Sequence, residues 1–286
     1  MNGIVIIDKP AEWTSQDVVS KLRGALHTKR IGHGGTLDPM ATGVLPVFVG
    51  RATRGVEFFE QAEKTYESVL RLGITTDTED MTGTVLEERP VAVSREQLEA
   101  VLQQFRGEIQ QIPPMYSALK VNGQKLCDLA RKGKEVERKP RTITIFSLEC
   151  LDFDGQTAYL RVRCSKGTYI RTLCKDIGEA LGCGGCMASL RRTAAGAYTI
   201  DQAVPLQVLV ESDDRESYLR PVDSMFTEYP ALTLTDKQEL RCRNGNAFSV
   251  QMEEGTYRAY SQTGEFLMLA QVKDGVMSTI KSFFEV

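Results

Sequence analysis

The segment from Arg30 to Gly50, RIGHGGTLDPMATGVLPVFVG, limits the possible folds of this chain more than any other stretch. Its second half, TGVLPVFVG, is apolar and rich in β-branched residues, and it reads as a buried strand. Gly32, Gly34, Gly35 and Gly43 around the turn allow positive φ and close backbone approach, while Pro39 restricts Asp38 to an extended conformation. An isolated Asp-Pro pair is explained well as the N-cap and first residue of a short helix. Here the neighbours allow a carboxylate to be aimed rigidly into a cleft, and rigid aim is what catalysis needs.

The flanking sequence makes the fold mixed. GIVIIDKP, Gly3 to Pro10, reads as a short buried strand leaving into a loop. TSQDVVSKLRGAL reads as an amphipathic helix, with Thr14 or Ser15 as N-cap and Val18, Val19, Leu22 and Leu26 on one face. Lys64 to Glu87 reads as strand, exposed polar turn, strand. Ser94 to Arg106 reads as a helix capped by Ser94, with Glu96 in its first turn. Pro113 and Pro114 break any helix, and KLCDLARKG predicts a short one ending at Gly133. Thr157 to Gly182 reads as an alternating strand, a turn at Gly167 and a helix ended by Gly182, which puts Tyr169 and Arg171 at a strand-to-helix junction.

ESDDRESYLRPVDSMF has the composition of a polar hinge. Beyond it, from Tyr229, short strands separated by RNGN, EEGT, QTGE and KDG predict a small β-barrel domain. The boundaries expected are 1–228 for a large α+β domain with a mixed sheet and 229–286 for the barrel.

Charge is informative only locally. The chain has 35 Lys and Arg against 38 Asp and Glu, a formal net charge of -3, so any nucleic-acid surface must be a patch. One is present: Lys120 to Arg141 holds eight basic residues (Lys120, Lys125, Arg131, Lys132, Lys134, Arg138, Lys139, Arg141) against three acidic ones. It reads either as a solvated face or as an RNA-facing element. Seven scattered cysteines suggest reduced thiols and a cytoplasmic protein. Asp8, Lys9 and Glu12 interrupt the first residues where a signal peptide would need an apolar core, and no apolar run reaches membrane-spanning length. Cys183 and Cys186 form a solitary CxxC with no second pair or nearby histidine, so no metal is expected and both read as unpaired loop thiols.

GHGGTLDPMATGVLPV resembles the catalytic segment of the TruB family of tRNA pseudouridine synthases. DKP at Asp8 to Pro10, EKTYES, IPPMYSALKVNGQKLCDLARKG, CSKGTYIRTLCKDIGEALG and LRRTAAGAY follow in the family's order, end to end. The resemblance implies a pseudouridine synthase core, an RNA-gripping insertion at about 107–141 and a C-terminal PUA-like domain. It also implies isomerisation of uridine 55 in the T arm of tRNA, with no cofactor, and the mild default is a monomer. By resemblance Asp38 is the catalytic carboxylate, acting on ribose C1′, on uracil C6 or through a glycal. Arg171 would pair with it and favour the anion. Tyr169 would relay a proton, and Tyr66 would stack on the flipped base. His33 would fill the space the nucleotide vacates, and Lys9 and Leu190 would support the pocket by charge and by packing. Lys120, Lys125, Arg131, Lys132, Lys134, Lys139 and Arg141 would grip phosphates.

Two other classes remain open at this level. An RNA N-glycoside hydrolase would pair Asp38 with a second carboxylate, for which Asp77, Glu79 or Asp80 could be proposed, although TDTED reads better as an exposed turn. A non-catalytic tRNA-binding or folding protein would need only the basic insertion and the C-terminal domain.

Overall fold

The computed structural model describes residues 1–121 and 123–285. Strand β1 (Gly3–Lys9) sends Val5 and Ile7 to one side of a sheet and Ile4 and Ile6 to the other, so both of its faces are buried. Helix α1 (Ser15–Ala25) is capped by Thr14, whose side chain accepts from Asp17 N while Asp17 returns the bond, a capping box of about 1 kcal/mol. The short strand β2 (Ile31–His33) leads through the glycine-rich turn into β3 (Thr42–Val49), and α2 (Val56–Glu60) leads to β4 (Lys64–Leu72). Strands β5 (Ile74–Thr76) and β6 (Val85–Glu88) form a hairpin, followed by α3 (Arg95–Gln104), capped by Ser94, and β7 (Gly107–Gln111). The insertion contributes β8 (Lys120–Val121), β9 (Gln124–Lys125) and α4 (Leu126–Ala130). That helix is shorter than KLCDLARKG suggests, and Gly133 turns the chain at φ +67°.

A long hairpin, β10 (Arg141–Phe153) and β11 (Thr157–Cys164), precedes α5 (Ile170–Ala180), which Gly182 ends in a left-handed conformation. Then come β12 (Gly185–Ala195), β13 (Tyr198–Thr199), β14 (Val204–Pro205) and α6 (Leu206–Glu211). The main sheet runs β14-β1-β3-β12-β4-β11-β10-β7, with β13 on β12 and β2 on β3. It is mixed: β1 with β14 and β3 with β12 are parallel, and the remaining pairs are antiparallel. Its principal core lies under α1, α3, α5 and α6, whose apolar stripes it shares. Close approach of β3 to β12 depends on Gly43: at φ +102°, a Cβ there would lie 2.2 Å from the Arg192 carbonyl oxygen.

Several expectations are corrected. The acidic stretch before residue 226 is docked, not a free hinge. Arg220 and Ile4 exchange both backbone hydrogen bonds, and Tyr198 Oη lies 3.0 Å from Ser224 Oγ. Apolar side chains complete the docking, since Val222 and Met225 pack into the second core beside Phe48 and Phe59. After β15 (Ala231–Thr233), where only strands are predicted, comes α7 (Asp236–Arg243), because Thr235 and Gln238 build another capping box. Strands β16 (Phe248–Ser249), β17 (Gly255–Tyr260), β18 (Phe266–Lys273) and β19 (Val276–Ser282) complete a five-stranded sheet ordered β15-β17-β18-β19-β16. Among the described residues its edge strands β15 and β16 do not pair, so the closed barrel expected from the sequence is present only as this open sheet. Cys183 and Cys186 are free but buried, the second of them within β12. No helix of the described residues is long and apolar enough to cross a membrane.

Candidate active site

Asp38 lies between β2 and β3, at the end where β3 pairs with β12. It begins no helix: Ala41 N donates to Asp38 O at 3.0 Å, closing a tight turn over Pro39 and Met40. Three groups behind the turn fix it. Ser15 Oγ, in the first turn of α1, donates to Leu37 O and accepts from Leu37 N at 2.8 Å. Lys9, fully buried, donates from Nζ to the carbonyls of Pro10, Trp13 and Pro39. Arg192, 1% exposed, donates to Val44 O at 2.7 Å and Gly35 O at 3.1 Å. Gly35 takes φ +87°, so the backbone doubles back against that guanidinium. Burial lowers the Lys9 pKa from 10.5 to about 8, even with Asp38 nearby favouring the charge.

Arg171 meets the turn from the second position of α5. Its Nε lies 2.9 Å from Asp38 Oδ2 and its Nη2 3.2 Å from Asp38 Oδ1, a bidentate pair. Two further bonds go from Nη1 to Thr78 O at 3.1 Å and from Nη2 to Tyr116 O at 2.8 Å. The two partners differ in exposure: 5% for the Arg171 side chain and 35% for that of Asp38. The arginine is thus packed within the protein, and the carboxylate is the partner open to solvent.

Behind Arg171 stands Asp80, 3.7 Å from Nε and almost buried. Its Oδ1 accepts from Thr82 N, Thr82 Oγ1 and Thr78 Oγ1. This overturns the expectation of an exposed turn: Asp77 is exposed, but Glu79 is half-buried and Asp80 is buried. The sequence did hold a signal for it. In TTDTEDMT, Thr78 and Thr82 stand two residues either side of one acid and give its carboxylate their hydroxyls, while Thr76 Oγ1 donates to the Asp80 backbone carbonyl, a pattern that satisfies the acid from its own loop instead of leaving it to water.

Tyr169 is the N-cap residue of α5, and its backbone is clasped by Gln111, which accepts from Tyr169 N at 2.8 Å and donates to Tyr169 O at 3.0 Å. Gln111 and Tyr116 both belong to the root of the basic insertion, so the segment that carries the surface lysines also buttresses the Asp38 pair. Tyr66 is buried on β4, opposite Arg192, and Leu190 stands opposite Ser68, the next inward position along β4. Burial raises the pKa of both tyrosine hydroxyls, which keeps them protonated near neutrality. His33 lies on β2 opposite Val47, its Nδ1 buried without a partner, and burial followed by the Arg192 charge lowers its pKa. Both effects favour the neutral imidazole at this position.

Lys120, Lys125, Arg131, Lys132, Lys134, Lys139 and Arg141 are all exposed. Lys120 and Lys125 face each other directly across the β8–β9 hairpin. Arg138 is only half-exposed, tied to Pro113 O at 3.2 Å. No group of three or more His, Cys, Asp or Glu among the described residues has the geometry to hold a metal ion.

With this geometry in hand, comparison with known proteins is informative. Residues 23–170 match the family model described as TruB family pseudouridylate synthase, N-terminal domain, and 171–227 match that of the tRNA pseudouridylate synthase B C-terminal domain. The chain is 45% identical over 282 residues to the tRNA pseudouridine synthase B of Stutzerimonas stutzeri (strain A1501), covering 96% of this chain and 92% of that one. It is 42% identical over 289 residues to that of Clostridium kluyveri, covering 99% and 100%. Among solved structures, a chain of a Cbf5-Nop10-Gar1 complex superposes with a TM-score of 0.75 at 26% identity, over 99% of this chain and 85% of that one.

Proposed function

The chain belongs to the TruB family of pseudouridylate synthases, and from that membership we propose that it converts uridine 55 in the T arm of tRNA to pseudouridine. The observation that carries the reading is the bidentate contact between buried Arg171 and part-exposed Asp38. The reaction breaks N1–C1′, turns the uracil and makes C5–C1′, while one proton leaves C5 and one joins N1. Atoms and electrons are conserved, so the chemistry asks for one placed carboxylate and a means of moving a proton. Asp38 is the carboxylate, whether it acts on C1′, on C6 or toward a glycal, and the protonated Tyr169 hydroxyl is the relay. Tyr66 offers a ring face to the extruded base, Leu190 packs beneath it, His33 takes the vacated space, and Lys9 holds the Pro39 carbonyl of the turn.

Residues 1–228 form the catalytic domain, and the C-terminal sheet, 229–286, serves as a PUA-like RNA-binding domain. The exposed cations of the insertion grip the phosphates. Supporting this, Lys120 opposite Lys125 is a repulsive cross-strand pair that an anion would neutralise. The protein acts as a monomer in the cytoplasm, where its tRNA substrate is found. Hydrolysis fits less well: Asp80 Oδ1 is filled by three donors and its Oδ2 faces Arg171, so it is not free to activate water.

The test is incubation of the purified protein, and of Asp38→Asn, with an unmodified tRNA transcript, mapping pseudouridine and free uracil. Pseudouridine in the T loop that falls at least about 10⁴-fold in the variant, with binding retained, is the expected result. Free uracil would make the protein an N-glycoside hydrolase, and tight binding without conversion would make it an RNA-binding or folding protein.

A further inference from the structure

Glu79 is one of four non-glycine residues with positive φ among the described residues, at 64°, a region that L side chains rarely occupy. The backbone there is pinned on both sides: Glu79 N donates to Thr76 O, Met187 N on β12 donates to Glu79 O at 3.0 Å, and Met81 N donates to Met187 O at 3.0 Å. A left-handed residue reverses the chain, so the consecutive carboxylates of Glu79 and Asp80 both reach the first turn of α5, where an extended strand would send them to opposite sides. Asp80 meets Arg171, and Glu79 meets its neighbours: Oε2 accepts from Thr172 Oγ1 at 2.6 Å, and Oε1 lies 3.5 Å from Lys175 Nζ. The Glu79 side chain is 12% exposed. Helix α5 itself has no acidic residue in its first turn and no capping side chain at Tyr169. The carboxylate that complements its positive end comes from this loop.

Two successive residues of one loop thus grip two successive residues of the helix that carries Arg171. We infer that Glu79 is a positioning residue: through Thr172 and Lys175 it locks the 77–82 loop to α5, and so sets the angle at which Arg171, backed by Asp80, meets Asp38. The inference rests on the isomerase reading above. It assigns Glu79 no contact with substrate, so substrate affinity is independent of it, while the chemical step, sensitive to misplacements of about 1 Å, is not.

The experiment measures single-turnover rate on saturating tRNA, tRNA Kd and melting temperature for the wild type, Glu79→Asn, Glu79→Gln, Thr172→Val, Asp80→Asn and the double variant Glu79→Asn/Asp80→Asn. Asn tolerates the left-handed backbone but is too short to reach Thr172, so its rate should fall about tenfold with Kd within about twofold. Gln keeps the length and an acceptor oxygen and should stay within about threefold of wild type. Thr172→Val removes the same bond from the helix side, with the loop backbone untouched, and should reproduce the Asn result. If Glu79 acts through Asp80 and Arg171, adding Glu79→Asn to Asp80→Asn changes the rate less than about twofold. The full tenfold loss in both backgrounds, or losses that merely track melting temperature, would overturn the inference. So would a wild-type rate in Glu79→Asn or Thr172→Val while the wild-type protein is active. A wild-type protein that makes no pseudouridine removes the isomerase reading and this inference together.

Discussion

The cations around Asp38 and the cations of the basic insertion are the same residue types in opposite conditions. Lys9, Arg171 and Arg192 are buried, and each donates to fixed acceptors: three carbonyls for Lys9, the Asp38 carboxylate and two carbonyls for Arg171, and two carbonyls for Arg192. Lys120, Lys125, Arg131, Lys132, Lys134, Lys139 and Arg141 are exposed, and the ion pair that Arg131 makes with Asp128, at 3.6 Å with both side chains more than half exposed, contributes little. Local charge density does not separate the two groups; burial against fixed acceptors does. A buried cation held by such acceptors shapes backbone, and an exposed cation without a partner is free to take a phosphate.

This contrast breaks first at Arg171, where the effect should be largest. Lysine keeps the positive charge but cannot span both Asp38 oxygens while also reaching Thr78 O and Tyr116 O, since a point charge on a flexible stem lacks the planar fork. Arg171→Lys should lower the single-turnover rate about 10²- to 10³-fold and leave tRNA Kd within about threefold. A variant that converts tRNA at the wild-type rate would show that charge alone suffices, and the bidentate geometry would lose its meaning.

Lys9 sharpens the comparison through pH. Its pKa is about 8 in the folded protein against 10.5 for the free side chain. Between those values the unfolded chain binds more protons than the folded one, so stability from this group rises with pH across that window. The unfolding free energy of wild type relative to Lys9→Met, from urea titrations at pH 7 to 10, should increase by about 2–3 kcal/mol. A difference that shrinks as pH rises would mean that the three carbonyls hold the ammonium more strongly than burial opposes it.

How far the sequence can be read follows the same division. Periodicity locates β1, β3, α1, α3 and α5 nearly to the residue, because each is amphipathic or wholly apolar and marked at its ends by a capping residue or a glycine. Asp38 and Arg171 are paired by resemblance, not by spacing, since 133 residues separate them. Asp80 reads as exposed because a polar loop buried against a strand has the composition of a solvated one. Only the pairing of Met81 and Glu79 with Met187 buries it, and that pairing is long-range. Ser15 reads as a possible cap, but Thr14 fills that role, and Ser15 instead fixes Leu37 beside the site. Helix α7 is hidden among glycine-spaced strands because its apolar face is too small to declare itself, with Cys242 its only buried residue.

The smallest predicted effect lies in the insertion and tests the exposed half of the contrast. Lys132, Lys134 and Lys139 are exposed and make no ion pair among the described residues, so neutralising them leaves the packing of the fold intact. Lys132→Gln/Lys134→Gln/Lys139→Gln should leave the melting temperature and the rate on saturating tRNA unchanged and weaken binding about tenfold at moderate salt. The slope of log K against log salt should also flatten, by about 0.9 for each phosphate no longer neutralised and so by up to about 2.7 for the three. Slope is the deciding quantity, because a general fall in affinity through misfolding would shift the line without flattening it. An unchanged slope would place these lysines with the solvated surface and move the phosphate grip to Lys120, Lys125 and Arg141, which flank them in sequence.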